Sequence, residues 1–145
     1  MVPTLMGRIQ TRIFMLLTVG VVVTAIITPL LGIPGSLSAA YKTTYIILAT
    51  VAVLGILWEL LYHFLMQWRW EKDWPTLFGL VTGLPEGLLV GFLATHGLLP
   101  FLPGPVQPAT FVIHFVVVWV AVWLFANGPM RVPSIRWRFR GGRLL

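Results

Sequence analysis

Residues 76–100, TLFGLVTGLPEGLLVGFLATHGLLP, form a stretch long and apolar enough to cross a bilayer as a helix rising ~1.5 Å per residue. Two features separate it from a plain lipid anchor. Gly79, Gly83, Gly87 and Gly91 recur every fourth residue, and on a helix they drift slowly round one side as a smooth strip. Glu86 follows Pro85 near the middle and falls at the edge of that strip. A glycine strip lets another helix come close, and an acid beside it has to lie in protein or water rather than in lipid. The stretch therefore predicts a polytopic membrane protein with a polar spot inside.

Composition widens that reading to the whole chain. Of 145 residues, 58% are hydrophobic and 10% charged, against ~25% charged in soluble domains. The mean hydropathy is +0.92. There is room for about four spans with short connections, hence a single transmembrane domain. Cysteine is absent, which removes disulfides, thiolate metal sites and cysteine nucleophiles. The formal charge of +6 sits at the ends of apolar runs. It points to anionic lipid headgroups and to orientation in the membrane, with no nucleic-acid partner expected.

The expected spans are residues 13–31, 43–66, 76–99 and 109–126, followed by a basic tail over 127–145. The first follows Arg8 and Arg12 and resembles a signal peptide, but its apolar run exceeds a usual signal core and reads as a retained span. Between the second and third spans, QWRWEKDWP sets Trp68, Trp70 and Trp74 among charges, which marks a membrane interface. Residues 100–108, PFLPGPVQP, read as a stiff, polyproline-like loop. With both ends inside, Arg8, Arg12, Arg69, Lys72 and the tail arginines fall on the inner side and only Lys42 on the outer. The fold class expected is thus an all-α, four-helix polytopic protein, N-in and C-in, with a cytoplasmic arginine-rich tail.

Glu59 and His63 stand four apart and share a face of the second span with Ala52, Gly55 and Met66. At ~1.5 Å per residue Glu59 lies roughly 10 Å deep and Glu86 roughly 15 Å deep from the same side. A helical hairpin would bring the two acids together, and two close carboxylates do not both ionise easily. Glu59, His63 and Glu86 are therefore the candidate intramembrane polar site. It either handles protons or cations, or is satisfied locally, with Glu59 bonding His63 and Glu86 bonding backbone freed by Pro85. His96 and His114 lie near the outer ends of neighbouring spans and form a second possible pair. A third ligand at that depth is missing, so neither a metal nor another cofactor is assigned.

The glycine strip is a helix-packing surface whose partner the sequence does not name. Trp119 and Trp123, four apart, read as lipid-facing or interfacial. The tail carries Arg131, Arg136, Arg138, Arg140 and Arg143, with aromatic and aliphatic residues among them. Together with Trp68, Trp70 and Trp74, those arginines are expected to contact lipid headgroups or a partner. Motifs for phosphate, dinucleotide or metal chemistry are absent, and Ser36, Ser38 and Ser134 all lie outside the spans. The expectation is a non-enzymatic membrane subunit that packs against other membrane chains or itself, in a bacterial inner membrane. The alternative is a small oligomeric proton- or cation-coupled transporter or channel using Glu86, Glu59 and His63.

Overall fold

The computed structural model describes residues 4–69 and 76–145. Trp70 and Trp74 of the tryptophan-rich loop lie outside the described residues. Among those described, all regular structure is helical, and four helices are long and apolar enough to cross a membrane: α1 (Leu5–Leu31), α2 (Leu37–Met66), α3 (Thr76–Thr95) and α4 (Pro108–Arg131). A short α5 (Ile135–Phe139) follows.

Local chemistry sets the ends. The Thr4 hydroxyl accepts from the Gly7 N–H at 3.1 Å and the Ser36 hydroxyl from the Ala39 N–H at 3.2 Å, capping α1 and α2. Pro108 occupies the first turn of α4, where its missing N–H costs nothing. Gly32, at φ 61°, ends α1 in the left-handed region. These caps move two starts outward: α1 begins at Leu5 rather than at residue 13, and α2 at Leu37 rather than 43. Arg8 and Arg12 consequently sit inside a helix instead of flanking it. One π turn interrupts α1 at Leu16–Gly20, just beyond Arg12.

α3 packs on α4 as an antiparallel ladder. Gly79 faces Trp123, Gly83 faces Trp119, Gly87 faces Phe115 and Gly91 faces Phe111. The aromatic rings stack on one another along α4, with centroids 5.6 Å apart for Phe111–Phe115 and 5.4 Å for Phe115–Trp119. A Cβ on Gly87 would stand 2.8 Å from the Phe115 ring, so the ring occupies the space a side chain would need. Trp119 and Trp123 are thus packing residues rather than lipid-facing ones. Each indole also donates to α3 backbone, Trp119 to the Leu80 carbonyl at 3.2 Å and Trp123 to the Thr76 carbonyl at 3.0 Å.

The Trp119 bond lies beside a break in α3 at Thr82, between Thr76–Val81 and Gly83–Thr95. Pro85 has no N–H to give the carbonyl four residues back, so the helix cannot run through unchanged. Neighbouring side chains serve the carbonyls around the break, Trp119 at Leu80 and Tyr62 of α2 at Thr82 (3.2 Å). The apolar core joins all four helices through Leu16, Ile47, Val51, Val90, Phe111 and Val118. The proline-rich loop turns at its start, where Phe101 has φ 64°, and is extended at Gln107 (φ −63°, ψ 132°). Leu99 and Val106 are buried, and the Val106 N–H returns to the Ala94 carbonyl at 3.0 Å.

The ladder makes a direct prediction. Gly87→Ala should destabilise the bundle by about 1–3 kcal/mol in chemical unfolding in detergent, through overpacking against Phe115. Gly104→Ala, in a loop position with open space around it, should change stability by less than about 0.5 kcal/mol. Equal tolerance of both substitutions would contradict the close approach of α3 and α4.

Candidate functional site: a buried arginine–glutamate quartet

Arg8 and Arg12 are four residues apart and lie on the face of α1 that meets α2 and α3. The Arg12 guanidinium reaches both acids at once. Its Nη1 and Nη2 donate to Glu86 at 2.6 and 2.8 Å, while Nε donates to Glu59 at 2.9 Å. Arg8 Nε donates to the other Glu59 oxygen at 2.6 Å. All four carboxylate oxygens therefore accept from a guanidinium. The Glu86 pair has the two-pronged geometry in which arginine binds carboxylate best.

Burial explains why the arrangement has to be complete. Glu86 is 1% exposed and Glu59 7%. A lone carboxylate in such a place would be very costly, but two arginines and two glutamates carry no net formal charge. Gly55 provides the space, since a Cβ there would stand 2.6 Å from Arg12 Nη1. The Arg12 guanidinium also lies over the Trp119 ring, 5.5 Å from its centroid, which ties α4 to the quartet. Four helices thus converge on one guanidinium.

The arrangement differs from the local pairing expected of these residues. Glu59 bonds arginines of α1 rather than His63. The His63 Nε2 lies 3.4 Å from Gln67, and its buried Nδ1 has no partner among the described residues. Glu86 bonds Arg12 rather than backbone freed by Pro85, and the two acids approach with a cation between them rather than a shared proton. Sequence reasoning treated Arg8 and Arg12 as topology markers. Their spacing of four, matched to two otherwise unpaired acids, was the signal that could have placed them inside.

His96 and His114 are held separately. His114 is 2% exposed, and its Nε2 lies 3.1 Å from the Thr24 hydroxyl in a buried cluster where Thr28 and Thr44 share a 2.8 Å hydrogen bond. His96 is exposed, its ring tilted 34° to the Phe92 ring with centroids 4.3 Å apart, and it is bonded to that residue's carbonyl at 2.9 Å. No group of three or more potential metal ligands gathers among the described residues.

The tail folds back on α1. Trp137 Nε1 donates to the Thr11 hydroxyl at 2.7 Å, that hydroxyl donates to the Gly142 carbonyl at 3.0 Å, and the Thr4 N–H donates to Gly141 at 2.9 Å. Gly7 packs directly against Gly141 and Gly142. Arg131, Arg136, Arg138, Arg140 and Arg143 all remain exposed, as does Trp68. Arg131 bonds Asn127 Oδ1 at 2.7 Å and Arg143 the Thr4 hydroxyl at 3.4 Å. Between α1, α3, α4 and this tail lies a pocket of about 280 Å³ that reaches inward to Arg12 and Glu59.

In comparisons with known proteins, the chain matches no family model, and no curated protein or solved structure shows significant similarity to it.

The quartet predicts an ordered set of stabilities. Arg12→Gln, which leaves Glu86 buried without its cation, should cost about 3–5 kcal/mol in detergent unfolding. Adding Glu86→Gln to that variant should recover part of the loss. A wild-type stability for Arg12→Gln would contradict the pairing.

Proposed function

We propose that this chain is a small, non-enzymatic integral membrane subunit that packs against other membrane chains, set in a bacterial inner membrane with both termini cytoplasmic. The observation that carries this reading is the tail. It is tied to α1 by backbone and side-chain hydrogen bonds, yet leaves its arginines exposed. A cationic face held in one shape loses less freedom on binding than a floppy tail and suits a partner with an acidic surface. The concentration of arginines at that end supports its cytoplasmic placement. Since the glycine strip of α3 is occupied by α4, partner contacts fall on the basic end and on the outer helix faces.

Transport of protons or cations requires a carboxylate able to release and rebind its ion. With every oxygen of Glu59 and Glu86 accepting from a guanidinium, the quartet supports a structural role in preference.

Purification in nanodiscs followed by native mass spectrometry tests the proposal. The expected result is a defined mass that includes other proteins, with those partners lost when Arg136, Arg138 and Arg140 are all changed to Glu. A chain recovered alone or only with copies of itself would overturn the subunit reading. Partners retained by the triple variant would overturn the role given to the basic face.

A further inference from the structure

The pocket between α1, α3, α4 and the tail has a directional chemistry. Its outer rim, at the end of the bundle that carries both termini, holds Arg131, Asn127 and Trp137. Most of its wall is apolar and aromatic, with Met15, Leu16, Val122, Trp123 and Trp119. Arg8, Arg12 and Glu59 of the neutral quartet line its inner part. The charge is directional too. Arg8, Arg12, Glu59 and Glu86 cancel within the quartet, whereas Arg131 has no carboxylate partner among the described residues. Among the described residues, one of the five side-chain N–H groups of Arg131 is bonded, to Asn127. A cationic rim above a mainly apolar shaft whose inner charges cancel matches an amphiphile that enters head-outward, as a lipid stands in its leaflet. At about 280 Å³ the pocket lies just below the ~300–1,000 Å³ range of small-molecule sites, room for a headgroup and the start of one chain rather than for a whole lipid.

We propose that this pocket is a binding site for one phosphate-headed membrane lipid. Arg131 takes the phosphate at the rim, and the glycerol and upper acyl chain lie along Trp123, Val122 and Met15. Arginine suits the role because its fork donates to two phosphate oxygens together. Trp137 and Gly142 belong to the tail and also line the pocket, so an occupied pocket braces the tail against α1. The site goes beyond the subunit role proposed above and does not depend on it. It needs only that this end of the bundle lies at headgroup level.

The test uses the full chain in a non-ionic detergent, with tryptophan fluorescence and native mass spectrometry as readouts. The probes are dihexanoyl phosphatidylglycerol, dihexanoylglycerol, glycerol 3-phosphate and inorganic phosphate. The expected result is saturable binding of one phosphatidylglycerol per chain, weakened about tenfold by Arg131→Gln through loss of the charge-assisted hydrogen bonds. Ala126→Trp, which fills the shaft, should abolish binding. Should that variant fail to fold, Arg131→Gln alone decides. The double variant Arg136→Gln/Arg138→Gln, outside the pocket, should bind as the wild type does. Dihexanoylglycerol, which lacks the phosphate, binding as tightly as phosphatidylglycerol would reduce the site to an apolar groove. Glycerol 3-phosphate or inorganic phosphate binding as tightly would make it a soluble-anion site. Equal weakening by the Arg136/Arg138 pair would show diffuse surface attraction. Each of those three results, or no saturable binding, overturns the proposal.

Discussion

One guanidinium holds this bundle together. Arg12 bonds Glu59 of α2 and Glu86 of α3 and lies over Trp119 of α4, so a single side chain contacts every other long helix. Lipid offers no driving force comparable to the hydrophobic effect in water for bringing apolar helices together. A buried charge is different, because leaving it unpaired in the bilayer is the expensive alternative. The quartet therefore acts as a register device. Sliding α2 or α3 by one turn would withdraw a carboxylate from Arg12 and strand both charges, whereas an all-leucine contact would tolerate the shift. Gly55 and the π turn at Leu16–Gly20 fit the same purpose, one clearing space for the guanidinium and the other altering the course of α1 just past it.

The second constraint is the glycine–aromatic ladder. Four glycines let α3 approach α4 closely, and the large rings of Phe111, Phe115, Trp119 and Trp123 fill the surface they leave. The two devices share Trp119, which faces Gly83, receives Arg12 over its ring and donates to the Leu80 carbonyl near the proline break. The irregular backbone that Pro85 imposes is thereby confined to the place where protein side chains can serve it, as the bilayer requires.

The four apolar runs were legible because crossing a membrane imposes a length and a composition that few other structures need. The small-residue strip on α3 was legible for the same kind of reason, but its partner was not, since any ring-bearing helix could meet it. The reading of Trp119 and Trp123 as lipid-facing or interfacial rests on tryptophan's average preference for interfaces, and an average says nothing about the helix opposite. Arg8 and Arg12 were misplaced by a similar step. Terminal arginines usually report topology, and counting them so hid the fact that they share a face. Thr24, Thr28 and Thr44 gave no signal at all, because isolated threonines are common in spans and only the packed structure joins them to His114. The fold of the tail on α1 rests on Gly7, Gly141 and Gly142 meeting backbone to backbone, a contact without a sequence pattern.

The central claim is that Arg12 stands between two carboxylates. Solid-state NMR distance measurement on the full chain in bilayers, with labelled arginine side-chain nitrogens and glutamate carboxyl carbons, addresses it without perturbing the protein. The account predicts that Arg12 nitrogens lie within about 4 Å of the carboxyl carbons of both Glu59 and Glu86, as hydrogen-bonded ion pairs require. Contact with one acid only, or with neither, would contradict it.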